Sequence, residues 1–332
     1  MTTNRQQIAA LALVTFCSLL PSVLPHPALA AEARVQRQEA KSAGRKLTFE
    51  EEHPDYDPNC PRTRVSVDRA IEVLKAGKCT HLAVGGLWPH TTAKMAGALR
   101  DNRSVRMLDL NQYNEMGDEG AEAVAKALHG HTTLNVLFMA NNAITEEGAA
   151  HIAAMLDPVG GNNRGIKTLD LGANELGVVG AQHIAKALRR NNVLSAIFLG
   201  RNDIGDKGAR SLAKMLKSNA ALKHLFLRFN SITDKGADFL ARALEKNTVV
   251  TRLDLEQQTL SITGKGGKLS LPSSEDDNKV SVGAMARVRK HTRRNMDADR
   301  EQLLREHSEE QKRKEAAEDE KTNFETVVLG SK

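Results

Sequence analysis

Two hydrophobic periods alternate along most of this chain, and together they define one recurring unit. In the stretch 166–193, IKTLDLGANELGVVGAQHIAKALRRNNV, Leu169 and Leu171 flank Asp170 with the period-two alternation of a short β-strand. A helical stripe with the spacing i, i+3, i+4 and i+7 follows at Ala181, Ile184, Ala185 and Leu188. Each unit therefore predicts a strand, a turn and a helix.

Near-copies of this unit precede and follow it in register. Later units start at Leu194, Leu222 and Val250, each 28 residues after the one before, and earlier units start at Leu134, Val105 and, more weakly, Cys79. A fixed period in this range is typical of a solenoid, because one short strand and one short helix bury too little surface alone. Stacking predicts parallel strands on a concave side and the wider helices on the outside.

The pattern LxxLxLxxN followed by GAxxLAxxL resembles the leucine-rich repeat, and its length is similar to the ribonuclease-inhibitor-like class. The resemblance covers roughly residues 66–264. It includes a glycine in register at the start of each helix: Gly120, Gly148, Gly180, Gly208, Gly236 and Gly264. What the resemblance implies is an α/β horseshoe, with parallel strands on the concave face and helices on the convex face, that serves as a protein-interaction scaffold without a catalytic motif.

Residues 1–30 have the pattern of a secretory signal peptide. Arg5 precedes an apolar run from Ile8 to Leu24, and Ala28–Ala30 forms a small-x-small cleavage site before the first acidic residue. Cleavage after Ala30 predicts a secreted protein or one in the endomembrane lumen. A retained signal anchor is the alternative, although three prolines interrupt the run, which is short for a bilayer span.

The mature chain divides by pattern into three regions. Residues 31–65 are a flexible polar segment, 66–271 form the solenoid, and 272–332 form a charged helical or disordered tail. A helix after Ser66 is expected to cap the first repeat, and a hairpin in TLSITGKGGKLSL is expected to cap the last. The basic block 287–294 is interpreted as a solvated helix end, with contact to an acidic partner or a membrane as the alternative.

Cys60 and Cys79 flank the predicted cap helix and are the only cysteines left after Cys17 is removed with the signal peptide. The extended segment 61–65 is long enough to run back along a helix of about 18 Å, so a disulfide is geometrically possible. It would close a loop of about 20 residues and contribute about 3 kcal/mol. The alternative is a free thiol at Cys79, buried at the first leucine position of its repeat.

Two columns of asparagine recur through the units. The first consists of Asn142, Asn174, Asn202 and Asn230. The resemblance implies that these side chains point inward and bond the backbone of adjacent turns. The second consists of Asn102, Asn191, Asn219 and Asn247, for which we expect the left-handed conformation that ends a helix. Asn102 also begins the sequon Asn102-Arg103-Ser104, which makes it a glycosylation candidate.

Candidate functional residues are the strand positions that the repeat pattern leaves free. Phe198 and Phe226 are expected to form an exposed aromatic pair with a charged rim, which is typical of a protein-binding hot spot. The predicted partner-binding residues are Phe138, Asp170, Phe198, His224, Phe226, Arg228, Arg252 and Asp254. The alternative is that the phenyl rings only pack on one another along the sheet.

Composition and motifs narrow the function further. The chain has a net charge of +6 but only 3% aromatic residues, and its acidic residues are interspersed with the basic ones, so nucleic acid is not an expected partner. The sequence GKGGK lacks the strand, Ser/Thr and helix of a phosphate-binding loop, and no metal-ligand spacing occurs. We expect no enzyme activity, metal, small-molecule cofactor or membrane contact, and we expect a monomer.

The main prediction is a non-catalytic scaffold that binds a protein partner of unknown identity on the concave face. The alternative is a regulator resembling the Ran GTPase-activating proteins, although here the tail is mixed in charge and a signal peptide precedes the repeats. An inhibitor of a basic secreted enzyme is a third possibility. Such an inhibitor needs a strongly acidic concave face. Here the acidic residues, such as Asp109 and Glu256, are too few and are offset by Arg228 and Arg252.

Overall fold

The computed structural model describes residues 59–61, 63–111, 115–256, 261–262, 269–270 and 280–302, together with residues 305 and 309. The chain divides into two compact units. The larger contains Pro61–Leu260 and Pro272–Lys332, and the smaller contains Met1–Cys60 and Ser261–Leu271. The predicted signal peptide and most of the polar segment that follows it lie outside the described residues.

The larger unit alternates helices and strands. Its elements are α1 (Val67–Ala76), β1 (His81–Ala83), α2 (Pro89–Asp101), β2 (Met107–Asp109), α3 (Gly117–Ala127), β3 (Val136–Phe138), α4 (Glu146–Leu156), β4 (Thr168–Asp170), α5 (Gly177–Leu188), β5 (Ala196–Phe198), α6 (Gly205–Leu216), β6 (His224–Phe226), α7 (Asp234–Leu244), β7 (Arg252–Asp254) and α8 over 282–302. The strands β1 to β7 pair in chain order as one parallel sheet, with equivalent repeat positions opposite each other. This arrangement confirms the predicted α/β solenoid.

The core lies between the sheet and the helices. Leu169 in the middle of β4 and Ile184 on α5 are completely buried, as the two hydrophobic periods predict. The glycine near the start of each helix from α3 to α7 is required by close packing. A Cβ on Gly208 would collide with Ile204 and would lie 3.2 Å from the Cβ of Ala181 in the preceding helix. Any larger residue there would separate adjacent repeats.

The N-terminal end of the repeats contains helix α1 and, before it, a short extended segment beside the sheet; the role of α1 as a cap remains a prediction. Helix α1 begins after Ser66, whose hydroxyl accepts a hydrogen bond from the backbone N–H of Arg69, and ends at Gly77 with a φ of 64°. Immediately before it, Val65 forms a parallel bridge with Val84. The end of the segment predicted to be flexible is therefore ordered against β1. Cys79 is buried, and its pairing with Cys60 remains a prediction.

The first asparagine column forms the predicted ladder. The side-chain amide of Asn202 donates to the carbonyl oxygen of Leu171 in the preceding repeat at 2.8 Å. Its backbone N–H donates to the side-chain oxygen of Asn230 in the following repeat at 2.9 Å. Each asparagine therefore satisfies backbone groups that a turn buried inside the solenoid would otherwise leave unpaired.

The prediction for the second asparagine column was wrong. Asn102 has a φ of −71°, and none of its column mates has a positive φ. Instead they form a second ladder. The side chain of Asn191 donates to the carbonyl of Leu156 at 2.8 Å and accepts from the N–H of Leu194 at 2.8 Å. These asparagines hold the C-terminal end of one helix against the next repeat.

The structure also argues against a glycan on Asn102. This residue is only 4% exposed, and its Nδ2 donates to the carbonyl oxygen of Leu74 at 2.7 Å. A glycan would be attached to that same buried nitrogen, so it would break the ladder at the junction of α1 with the first complete repeat.

Two further members of the second ladder were missed, because one position holds a histidine and an insertion separates the other from the preceding helix. His131 takes one place, with Nε2 2.9 Å from the carbonyl oxygen of Asn102 and Nδ1 accepting from the N–H of Leu134. These bonds require a neutral ring, which agrees with the lowering of the pKa of His131 by burial. Asn163, in the insertion before β4, takes another place and donates to the carbonyl of Leu128 at 2.8 Å.

Helix α8 packs on the last repeat, whereas its basic block was expected to be a solvated helix end. Its buried residues follow one helical stripe: Ala284, Val288, Thr292 and Asn295. Asn295 donates to the carbonyls of Asn247 at 3.0 Å and Val250 at 2.9 Å, so it continues the second ladder beyond the final repeat. Arg294 donates to the carbonyl of Leu244 at the C-terminal end of α7.

The smaller unit is described only at its hairpin. Strands β8 (Ser261–Ile262) and β9 (Leu269–Ser270) pair antiparallel, in agreement with the predicted hairpin. Its role as a cap remains a prediction. In the larger unit, α8 contacts the last repeat at the carbonyls of Asn247 and Val250, before β7 begins.

Candidate partner-binding face of the sheet

The first and third residues of each strand project on the side of the sheet away from the helices. The middle residue, such as Leu225 in β6, is fully buried in the core, and side chains alternate across a strand. We call this surface the open face. All eight predicted partner-binding residues lie on it or directly after its strands.

An aromatic stack occupies the open face at β5 and β6. The rings of Phe198 and Phe226 are nearly parallel, with centroids 4.2 Å apart and an interplanar angle of 1°. The guanidinium of Arg252 lies 5.0 Å from the centroid of Phe226, within the range of a cation–π contact. The structure thus brings together three of the predicted residues.

The prediction of an exposed aromatic pair was only half right. Phe198 is half-buried, but Phe226 is only 8% exposed. Parallel strands hold equivalent positions one strand spacing apart, which lets one ring stack on the other. The guanidinium of Arg252, which is in register with His224, lies over the ring of Phe226. The rings therefore do pack on one another along the sheet, and Phe198 is the more accessible of the two.

A charged cluster borders the stack on the β7 side. The Nε atom of Arg228 donates to Oδ2 of Asp254 at 2.7 Å, and its Nη2 lies 3.1 Å from Oε2 of Glu256. His224 lies beside Arg252 in register, and burial followed by the charges of Arg252 and Lys223 lowers its pKa. A neutral imidazole therefore adjoins the aromatic stack at neutral pH.

Asp170 is completely buried on the open face and has an unusual environment. It lies between Phe138 and Phe198 in register, and its Oδ1 accepts from the N–H of Gly172 at 2.8 Å. Its Oδ2 is buried without a hydrogen-bond partner among the described residues. Burial, and secondarily the charge of Asp109, raises the pKa of Asp170 to about 7.

Arg64 is a residue of the open face that the sequence did not indicate. It lies in the segment predicted to be flexible, yet its Nη2 donates to Oδ2 of Asp109 at 2.7 Å and its Nη1 to the carbonyl of Val84 at 2.6 Å. No periodicity links residue 64 with residue 109. The pairing of Val65 with Val84 brings this arginine to the sheet.

The described residues contain no group of three or more His, Cys, Asp or Glu side chains that could hold a metal ion. Within that same part of the chain, the helices are too short or too polar to cross a membrane.

Comparisons with known proteins agree with the repeat pattern. A family model described as "Leucine Rich repeat" matches residues 101–125, 190–213 and 218–241. The protein "NACHT, LRR and PYD domains-containing protein 13" of Homo sapiens is 30% identical over 98 residues. That match covers 30% of this chain and 9% of the relative, so this chain spans about a tenth of that protein.

Two solved structures are similar to this chain. The actin-binding site 2 of leiomodin-1 is 18% identical with a TM-score of 0.35, and the match covers 73% of this chain and 96% of that one. The tropomodulin C-terminal domain of Caenorhabditis elegans is 12% identical with a TM-score of 0.39, and the match covers 64% of this chain and 98% of that one.

Proposed function

We propose that this leucine-rich-repeat protein is a non-catalytic scaffold that binds a protein partner on the open face of its sheet. The observation that carries the proposal is the stack of Phe198 on Phe226, with Arg252 over the second ring. Aromatic and arginine side chains dominate binding energy at protein interfaces, and the stack already holds its rings in fixed positions.

The surroundings of the stack support the same function. Gly172 and Gly200 leave the backbone of the neighbouring strands uncovered by side chains, and the Arg228 cluster forms a polar rim. Protein interfaces combine an apolar centre with such a rim. The alternative of a GTPase-activating-type regulator remains a prediction.

The test is a set of matched substitutions in the full chain. Partners are captured with the wild type, and affinity is then measured by calorimetry for Phe198→Ala, Arg252→Ala and Val179→Ala. Val179 is 43% exposed on α5, on the helix side of the sheet, and serves as the control. We expect Phe198→Ala to weaken binding at least about tenfold, because truncation of a hot-spot aromatic residue removes at least the corresponding binding free energy.

The control should bind as the wild type does. Thermal unfolding of each variant separates lost binding from lost folding. The proposal fails if Phe198→Ala and Arg252→Ala keep full affinity. If Val179→Ala loses as much affinity as these variants, the interface lies on the helix side instead.

We further propose that the scaffold works outside the cell or in the endomembrane lumen, on the basis of the pattern in residues 1–30. Intact mass of the chain purified from a secreting host is expected to lack these residues. A disulfide between Cys60 and Cys79 would lower the mass by about 2 Da relative to the reduced form. Cys60→Ser should abolish this difference. An uncleaved, reduced chain retained in the cell would favour the signal-anchored alternative or the intracellular regulator.

A further inference from the structure

We infer that the partner contributes an arginine side chain that pairs with Asp170 on the open face. The inference rests on the proposed function and specifies the chemistry of the partner at that face. It follows from a comparison of three aspartates that occupy the same position in their repeats, at the ends of β2, β4 and β7: Asp109, Asp170 and Asp254.

One carboxylate oxygen is used in the same way in all three repeats. Oδ1 accepts a hydrogen bond from the backbone N–H two residues further on, at 2.8 Å for Asp109, 2.8 Å for Asp170 and 3.1 Å for Asp254. This bond fixes each side chain in one orientation and leaves its second oxygen available to another donor.

The second oxygen distinguishes Asp170 from the other two. Oδ2 of Asp109 is bound by Arg64 at 2.7 Å, and Oδ2 of Asp254 is bound by Arg228 at 2.7 Å. Each arginine comes from a different segment of the chain. In the part of the chain that the structure describes, Oδ2 of Asp170 has no hydrogen-bond partner, although the residue is fully buried. Buried polar atoms in native proteins are usually satisfied, and a carboxylate is bound most strongly by a charged donor.

The neighbours of Asp170 suit a guanidinium better than an ammonium. Phe138 and Phe198 lie on either side of it in register, and both are half-buried. A planar guanidinium can stack on a phenyl ring while it donates to a carboxylate, whereas the ammonium of lysine is a more strongly hydrated point charge. A guanidinium already lies over a phenyl ring nearby, where Arg252 is 5.0 Å from the ring centroid of Phe226.

Access to Asp170 requires one phenyl ring to turn. Phe138 lies outside the stack of Phe198 on Phe226 and is partly exposed, so its ring is the one that an incoming side chain can turn aside. Gly172 has no side chain to obstruct the approach after β4. The incoming guanidinium would then lie between the displaced ring and the carboxylate.

The first experiment uses a defined probe on the full chain. The probes are acetyl-Gly-Arg-Gly-amide and the same peptide with citrulline, which keeps the shape of arginine without its charge. Ionisation of Asp170 is followed by carbon-13 NMR of its carboxyl group across pH, with Asp254 as the internal reference. The arginine peptide should lower the pKa of Asp170 progressively with concentration, and the citrulline peptide should leave it unchanged. Equal effects of the two peptides would overturn the inference.

The second experiment uses the captured partner and separates the two proposals. Asp170→Asn should weaken partner binding by about 30-fold, the loss typical of a truncated buried charge pair, while the exposed Asp203→Asn should not. If Phe198→Ala weakens binding and Asp170→Asn leaves it within about twofold, the arginine inference fails and the scaffold function stands. If neither variant weakens binding, the proposed function fails.

Discussion

Replacing Asp170 by Asn is expected to raise the free energy of unfolding at pH 8 by about 4 kcal/mol relative to the wild type, with little change at pH 4. Burial, with a smaller contribution from Asp109, raises the pKa of the folded state from 3.8 to about 7. The folded protein therefore retains a proton that the unfolded chain releases between these values. Stability from this group is complete below pH 3.8 and is lost as pH rises through 7.

Asparagine reproduces the neutral acid, because its side-chain oxygen can still accept from the N–H of Gly172. The measurement is urea unfolding of the wild type and Asp170→Asn at each pH from 4 to 8. Asp203→Asn in the following repeat is the control, since Asp203 is exposed and its replacement should change stability by no more than about 0.5 kcal/mol. Parallel pH profiles for wild type and Asp170→Asn would show that the buried carboxyl does not control this dependence.

Val288→Asp is expected to destabilise the solenoid by at least about 3 kcal/mol, because it places a charge in a fully buried apolar site. Val288 lies on the stripe of α8 that ends in Asn295, whose amide bonds the last repeat. A charge there should detach α8 and leave the carbonyls of Asn247 and Val250 without their donor.

The same helix provides the control. Val282 is 87% exposed, so Val282→Asp should change stability by no more than about 0.5 kcal/mol. Urea unfolding compares the two variants, and hydrogen exchange at the backbone of β7 reports whether α8 has detached. Equal stability of the two variants would mean that α8 does not stabilise the repeats.

The fold was predictable because the apolar residues whose burial stabilises each repeat recur at regular spacings in the sequence. Leu169 belongs to the period-two pattern of a strand and Ile184 to the apolar stripe of a helix, and both are fully buried. The first asparagine ladder followed from the family resemblance. Asp118 and Asp206 could also have been found, since both occupy the context GDxG, and each accepts from the N–H and hydroxyl of the threonine before the next helix.

The candidate site was less predictable because its decisive contacts join segments that share no period. The strand alternation identified which residues lie on the open face, but not that Phe226 would be covered by its neighbours. Arg64 reaches Asp109 across 45 positions of sequence, and Asn295 reaches Asn247 across 48. A search for repeats detects neither contact, since each of these donors lies outside the repeats.

A stack of identical units has no natural last member, and every final unit presents the surface on which another could be added. At the C-terminal end of this solenoid, the carbonyls of Asn247 and Val250 would form such a surface, but Asn295 occupies both. At the N-terminal end, Val65 pairs with Val84 beside β1. Both contacts occupy backbone groups to which a further repeat would otherwise bond. The two segments outside the repeat pattern thus each cover part of one end of the described repeats.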